Sequence, residues 1–310
     1  GVLFLVFGFL MAYSSYIRHH VFHSSFDFAI FAQAIWNTWN GDFLYSSIKG
    51  GICLLGDHFS PLLALFAPLY GLTKDPSLLL VAQAMIAASG VLPVYFIARH
   101  ILEDERLGLW FAVTYALYLP LRNAIRFDFH PEIIGDPLLL WSFFFILRDR
   151  LVTATFLLVI TLLTKEAACG PVAMLGLYSW WFQRKRFFGI AVFLLAVLWF
   201  VIVVKLVVPF FAGRDYFYLS GNYLAWMDQG LIAFLKHIFQ PSSFTYLKKI
   251  FLPVGFFSFF SPSSLILTFP VLFQNLAARN LMARSIYFQY TAFLTPFVFV
   301  SSIYGFKNFL

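Results

Sequence analysis

Apolar segments long enough to cross a lipid bilayer follow one another along most of this chain. A spanning helix needs roughly 20 predominantly apolar residues. The pattern predicts spans near 1–17, 77–99, 107–122, 132–148, 151–165, 167–182, 187–210 and 289–310, and short, proline-broken segments at 249–261 and 263–277. The segment 60–72 is too short to span and predicts an interfacial or re-entrant helix. We therefore expect an all-α, polytopic transmembrane protein of about 9–11 membrane segments.

Two polar stretches, 18–59 and 211–248, separate these segments. In the first, apolar side chains recur at helical spacing between residues 27 and 40: Phe28, Phe31, Ala32, Ile35, Trp36 and Trp39. This periodicity predicts an amphipathic helix lying on the membrane, with Ser24 or Ser25 as its cap and Asp27 in its first turn. We expect residues 1–310 to form one integral-membrane domain. The start at Gly1, inside an apolar run, indicates a fragment or a processed chain.

Basic residues fall on alternate short connections. Arg99 and Arg106, then Arg148 and Arg150, then the run 184–186 define one face of the predicted topology. The positive-inside rule assigns that face to the cytoplasm. The opposite, outer face then carries the first loop (18–59), the hinge 122–132, the turn at 165–166 and the second loop (211–248).

The composition agrees with a polytopic membrane protein, and the absence of several motifs excludes some classes of function. Of the 310 residues, 61% are hydrophobic and 11% charged, far outside the composition of a soluble domain. The net charge of +7 serves topology, so we expect membrane lipids and not nucleic acid as partners. The sequence has no Gly-rich phosphate loop, nucleophile elbow or HExxH motif. This argues against a nucleotide-driven pump, a serine hydrolase and a zincin.

Four short clusters of ionisable residues interrupt the apolar pattern, and all fall on the predicted outer face. They are Asp27, the pair Asp57–His58, the run Asp128–Phe129–His130–Pro131–Glu132, and the pair Lys165–Glu166. In a membrane protein such groups are costly and by default mark functional or paired structural sites. We therefore predict that they surround one cavity.

The first two clusters each allow a chemical and a structural interpretation. Asp27 suits a general base, or a carboxylate that orients an acceptor nucleophile, and equally a simple helix-start acid. Asp57 and His58 can bind a metal, relay a proton or bind a phosphate. The alternative for that pair is a helix cap beside a solvated histidine.

The third cluster is more specific. In an extended segment Asp128, His130 and Glu132 project to the same side, which predicts an acid–base or metal site. The spacing matches no strict zinc motif. The metal-ligand candidates are Asp57, His58, Asp128 and His130. Upstream, Arg122 and Arg126 can pair with the acids or bind a phosphate.

The remaining candidates are cations and a tyrosine. Lys165 can hold a phosphate that Glu166 orients, or the two can form a self-contained ion pair at a turn. Arg284 and Tyr290, near the last span, can meet an anionic headgroup. Basic anchors within an aromatic belt are the ordinary alternative there.

The clusters sit in longer strings that resemble a bacterial and archaeal membrane family, domain of unknown function 2079. The strings are residues 26–37 (FDFAIFAQAIWN), 56–61 (GDHFSP), 127–132 (FDFHPE) and 165–166 (KE). Their order and spacing cover essentially the whole chain. Gln289 departs from the resemblance, because a His-Tyr pair is expected at 289–290.

That family in turn resembles multi-span glycosyltransferases of the GT-C type. The resemblance implies a GT-C-like fold and transfer of a sugar from a polyprenyl-phosphate donor, with an acidic residue in the first outer loop, the place of Asp27. It implies a plasma-membrane protein whose site faces outward. Some GT-C relatives use a metal and others none, so a divalent ion stays open. The rivals are a non-enzymatic lipid or solute carrier using the same cavity, and a scaffold whose clusters are structural ion pairs.

Overall fold

The computed structural model of the chain describes residues 1–218, 221 and 229–310, and it is nearly all helical. The helices are α1 Val2–His20, α2 Phe26–Trp39, α3 Ala67–Thr73, α4 Ser77–Ala88, α5 Val91–Leu102, α6 Glu105–Leu117, α7 Leu119–Phe127, α8 Pro131–Leu147, α9 Leu151–Leu162, α10 Cys169–Trp181, α11 Arg186–Ile202, α12 Val208–Ala212, α13 Gly230–Ile238, α14 Pro241–Phe251, α15 Pro262–Leu265, α16 Phe269–Ala277 and α17 Thr295–Phe309. A π-helical segment, Val203–Val207, joins α11 to α12. Two short strands, β1 Tyr45–Ser46 and β2 Ile52–Cys53, pair antiparallel in the first loop, which the all-α expectation did not include.

Within the described residues, three helical stretches are long and apolar enough to cross a membrane. They are Val2–His20, Ser77–Leu102 and Arg186–Ala212. They correspond to the predicted spans 1–17, 77–99 and 187–210. The other predicted spans are shorter helices, such as Leu151–Leu162. The number of about 9–11 membrane segments therefore stays a prediction.

Proline divides two apolar regions, one predicted as an unbroken span and one already predicted as broken. The predicted span 107–122 is broken at Tyr118, where α6 ends and α7 begins with Pro120 in its first turn. Proline has no N–H for the helix ladder, and its ring clashes with the preceding turn. The region 249–277 is likewise divided by Pro253, Pro262 and Pro270 into α14, α15, α16 and intervening 3₁₀ turns.

The second polar stretch is more helical than predicted. Its described part contains α13 and the start of α14. Both helices have one apolar and one polar side. Their polar residues make this stretch less apolar than a membrane span, so it was predicted as a loop. Residues 219, 220 and 222–228 of this stretch lie outside the described residues.

The core has two parts. The larger part is formed by α1, α4–α11, α14 and α17. The smaller part lies under the first loop, where Phe28, Phe31 and Ile35 of α2 pack with Leu63 and Phe129. The predicted helix is confirmed as α2, with Ser25 as its cap, whereas its position on the membrane surface stays a prediction. Its apolar face is buried in this second core.

One close helix contact fixes the connection after the fourth cluster. A Cβ at Gly176 of α10 would lie 2.7 Å from the Phe193 nitrogen, and a Cβ at Gly189 of α11 would lie 2.4 Å from the Trp180 nitrogen. Only glycine allows the backbones to approach this closely. The two glycines therefore allow α11 to pack closely against α10. Helix α11 continues through the π-helical segment and α12 towards Tyr216.

Candidate functional site

A cavity of about 650 Å³ collects most of the residues that the sequence singled out. Its lining includes Asp27, Asp57, His58, His130, Glu132, Lys165, Glu166 and Tyr290. Apolar walls come from Ile30 and Phe31 of α2, from Val271 and Phe273 of α16, and from Phe293. The cavity thus combines a charged end with an apolar surface, as ligand pockets commonly do.

Asp27 and His130 form one pair at this site. His130 Nε2 lies 3.4 Å from Asp27 Oδ2, and the imidazole is 2% exposed whereas Asp27 is 44% exposed. The carboxylate is therefore the accessible member and the imidazole its buried support. The hydrogen bond from His130 lowers the pKa of Asp27 below its usual value, against the opposing effect of partial burial. Asp27 is consequently ionised at neutral pH.

Asp128 stands outside the cavity and fixes the start of α2. Its Oδ2 accepts hydrogen bonds from the Ser25 hydroxyl, the Ser25 N–H (3.1 Å) and the Phe28 N–H (3.0 Å). Burial raises the pKa of Asp128, although these hydrogen bonds oppose the shift. The expectation that Asp128, His130 and Glu132 share one side of an extended segment is wrong. Pro131 begins α8, so only the residues before it are extended.

Gln83 of α4 holds the segment 128–130 in place. Its side-chain amide donates to the Asp128 carbonyl (2.8 Å), and its Oε1 accepts from the His130 N–H (2.6 Å). Gln83 is fully buried within a stretch long and apolar enough to cross a membrane. A polar residue in such a stretch commonly marks a functional or structural site, so Gln83 could have been predicted from the sequence.

The fourth cluster is split between two partners. Lys165 donates to Glu132 Oε1 at 2.8 Å. Glu166 accepts from His58 Nδ1 (2.7 Å), from the Phe59 N–H (2.9 Å) and from the Tyr216 hydroxyl (2.7 Å). Burial alone would raise the pKa of Glu166, but His58, Lys165 and Tyr216 together lower it to about 2. The alternative of a self-contained Lys165–Glu166 pair is therefore not what the structure contains.

Asp57 is held by two residues that the sequence analysis did not name. Lys49 forms an ion pair with Asp57 Oδ2 at 2.8 Å, and the Tyr218 hydroxyl donates to its Oδ1 at 3.2 Å. Tyr218 also stacks on His58, with ring centroids 4.5 Å apart. Lys49, Tyr216 and Tyr218 all line the cavity. The signal for Lys49 was its place as the lysine of the first loop, but its partner depends on tertiary structure.

These contacts join the four clusters in an order that differs from the chain order. The first cluster meets the third through Asp27 and His130. The third meets the fourth through Glu132 and Lys165, and the fourth meets the second through Glu166 and His58. Separate surface ion pairs would not show this continuity. The four clusters therefore form one connected polar network.

Several acceptors in or beside this network have no partner among the described residues. They are Glu132 Oε2, His130 Nδ1, Gln289 Oε1 and Asp128 Oδ1, all buried. Buried polar atoms are usually hydrogen-bonded, so each unsatisfied one points to water or a ligand. The first three belong to residues that line the cavity.

The metal-ligand candidates do not converge. Asp57 faces Lys49 and Tyr218, His58 faces Glu166, His130 faces Asp27, and Asp128 faces Ser25 and Phe28. Within the described ranges, no three His, Cys, Asp or Glu side chains form a group that could hold a metal ion. These residues consequently do not fit a divalent ion.

The three predicted arginines lie outside the cavity. Arg284 is buried and donates to the carbonyls of His237 (3.0 Å) and Leu276 (2.6 Å), which ties α13 to α16. Arg122 is partly buried on α7. Arg126 is exposed at the end of α7 and lines a separate groove. None of the three therefore lies in the cavity with the cluster acids, and a role for them in binding a phosphate or a lipid headgroup stays a prediction.

Apolar helices long enough to cross a bilayer, with a polar network beside them, define a helical membrane protein. The chain belongs to the DUF2079 family, described as a predicted membrane protein, and the family model matches residues 18–310. All four clusters lie within the matched region. No curated protein matches the chain.

Proposed function

We propose that the chain is a membrane glycosyltransferase related to the GT-C type. It moves a sugar from a polyprenyl-phosphate-linked donor to an acceptor on the outer face of the bacterial or archaeal plasma membrane. The observation that carries the proposal is the pairing of Asp27 with His130. Asp27 is accessible from the cavity and begins the helix that follows the apolar helix α1. GT-C type enzymes carry an acidic residue at that place.

Asp27 acts on the acceptor. Its lowered pKa keeps the carboxylate ionised at neutral pH, so it accepts a hydrogen bond from the acceptor hydroxyl and orients it. As the acceptor oxygen bonds to the anomeric carbon, the bond from that carbon to the phosphate oxygen breaks. The acceptor proton passes to Asp27, and polyprenyl phosphate leaves with the bonding electrons. His130 holds Asp27 in position.

The cavity also offers groups for the donor. Lys165 and Lys49 line it, and fixed cations stabilise the charge that develops on a departing phosphate. Phe31, Phe273 and Phe293 give an apolar surface beside the charged end. An isoprenoid chain needs such a surface, whereas a free sugar does not.

A carrier that binds the same lipid without chemistry is the second candidate. Lys165 is already paired with Glu132, and Lys49 with Asp57. A phosphate would have to share these cations with carboxylates. This arrangement is as compatible with binding alone as with catalysis. Under this alternative, Asp27 only supports the cavity wall.

The test is complementation of a deletion strain with Asp27→Asn, with mass spectrometry of the envelope glycans. Loss of a charged base typically costs about 10²–10⁴-fold in rate, so the glycan lost on deletion should not return. Asp42→Asn is the matched control, because Asp42 is an exposed acid of the same loop outside the cavity lining, and it should restore the glycan.

Purified wild-type chain with radiolabelled polyprenyl-phosphate glucose and mannose separates the two candidates. The transferase should release polyprenyl phosphate when membrane extract is supplied as acceptor. A carrier would bind the donors and release nothing. Full complementation by Asp27→Asn would remove the catalytic assignment.

A further inference from the structure

A groove of about 760 Å³ lies beside the cavity, where α1 and α7 end. We call it the arginine groove, after Arg18 and Arg126 in its lining. Phe127 and Phe288 also line it. Phe127 stacks on His130 at 5.5 Å, and the Phe288 ring lies 6.4 Å from that of Tyr290. These two phenylalanines therefore form a wall between the groove and the cavity, which His130 and Tyr290 line.

The groove is suited to an anion. Its lining contains two arginines and His23, and no carboxylate. Arg18 donates to the backbone carbonyls of Arg126 and His23, so its guanidinium is held in place. The Arg126 guanidinium is exposed, and it has no hydrogen-bond or ion-pair partner in the part of the chain that the structure describes. A guanidinium fork of this kind matches the geometry of a phosphate.

One side of the groove is apolar, and α1 extends this apolar surface. Tyr13, Ile17 and Val21 line the groove. Farther along α1, Leu10 and Phe9 are exposed as well. Helix α1 is one of the stretches able to cross a membrane, so this surface faces lipid chains in a bilayer. A soluble phosphate would not contact this apolar surface, whereas an amphiphile would contact both the arginines and the apolar surface.

We propose that the arginine groove binds the phosphate group of a membrane lipid, with the lipid chain lying along α1. The ligand class is a phosphate monoester or diester on a long apolar tail. The site is separate from the charged cavity and does not rest on the proposed sugar transfer. A lipid held there contacts Phe127 and Phe288, one residue layer away from His130 and Tyr290.

The experiment measures binding of dioleoyl phosphatidic acid to the purified full chain in phosphatidylcholine nanodiscs. Losing one charged hydrogen-bonding group should weaken binding about ten- to hundredfold. We therefore expect Arg126→Gln to bind the lipid at least about tenfold more weakly than wild type. Arg126→Lys keeps the charge and should recover part of the binding. Arg214→Gln is the matched control, since Arg214 is exposed and lies outside the groove, and it should bind as wild type.

Further arms separate the sources of phosphate and the two proposals. Inorganic phosphate at the same concentration should not displace the lipid, and equal competition would overturn a lipid site. Equal weakening by Arg126→Gln and Arg214→Gln would reduce the effect to general charge and also overturn it. Asp27→Asn should bind the lipid normally even where sugar transfer fails. The unfolding temperature of each variant checks that it is folded. We expect no change for the Arg126 variants, because the Arg126 side chain contacts no hydrogen-bond or ion-pair partner among the described residues.

Discussion

At the scale of residues, the site is a set of buried or half-buried charges, most of which pair with a residue from another cluster. The pairs Lys165–Glu132 and His58–Glu166 are 2.8 and 2.7 Å apart. The choice of residue types was readable from the sequence, because ionisable groups in an apolar chain are rare and costly. The choice of partner was not. Lys165 and Glu166 are neighbours in sequence, yet they take different partners.

Acid should weaken the fold through Glu166. Its pKa falls from 4.5 to about 2 in the folded chain. A lowered folded-state pKa contributes stability above the unfolded value, and that stability is lost as pH falls from 4.5 towards 2. The lowered pKa of Asp27 acts in the same direction. We expect the unfolding temperature in detergent to fall over this range, and Glu166→Gln to start lower at pH 7 and change less steeply.

Exposed Glu103 provides the control for this pH series. Glu103→Gln should keep the wild-type profile. A Glu166→Gln profile that runs parallel to wild type would contradict the role of the His58–Glu166 pair.

Removing Lys165 should be costly. Glu132 is 6% exposed and would be left as an uncompensated buried carboxylate, which typically costs about 3–5 kcal/mol. We expect Lys165→Met to lower the free energy of unfolding by about that amount. Lys165→Met with Glu132→Gln should recover part of it.

The pair of Lys185 and Asp149, in which the carboxylate is exposed to solvent, gives the comparison. Asp149 is 80% exposed, and exposed pairs contribute about 0–1 kcal/mol. Lys185→Met should therefore change stability little. Similar losses for the two lysine variants in denaturant titrations would mean that the Lys165 pair is effectively solvated.

At the scale of elements, α2 was the most predictable part of the site. Its apolar spacing, its Ser25 cap and the acid in its first turn all come from local sequence. The break at Tyr118 could also have been read, because Pro120 lies inside the predicted span. The role of Asp128 could not be read. It accepts hydrogen bonds from residues about a hundred positions earlier, and local patterns contain no such information.

Asp128 should therefore matter for the stability of α2. In Asp128→Ala the Ser25 and Phe28 donors lose their acceptor, and an unsatisfied buried donor costs about 1–3 kcal/mol. Asp128→Asn keeps an acceptor oxygen and should lose less. We expect the unfolding temperature to rank wild type above Asn above Ala. An Asn variant with normal stability and no sugar transfer would instead make Asp128 part of the chemistry.

At the scale of the whole molecule, the sequence led to one polar site on one side of an apolar chain. The connected network and its cavity agree with the idea of one site, except for Asp128. The positions of Lys49, Tyr216 and Tyr218 were not predictable, since tertiary contacts bring each of them to the cavity. The number of membrane crossings also depends on helix lengths that proline and 3₁₀ turns shorten.

The predicted topology can be tested by cysteine labelling in intact cells, after Cys53 and Cys169 are replaced by serine. A membrane-impermeant reagent should modify cysteines placed at 40–50, but not at 103–105 or 184–186, because basic loops stay cytoplasmic. Labelling of the opposite set would invert the topology. It would also move the proposed site to the cytoplasm.

The crossed order of the network has a consequence for biosynthesis. His58 and its partner Glu166 are 108 residues apart. A ribosome adds about 5–20 residues per second, so His58 waits roughly 5–20 s for Glu166 to be made. The cavity wall is complete only when Phe293 has been added. During that interval the charges of the first loop have no partner and must remain hydrated. A loop allows this, whereas a helix inserted in the bilayer does not. A nascent chain stalled before residue 165 should therefore present Asp57 and His58 to water, without the site.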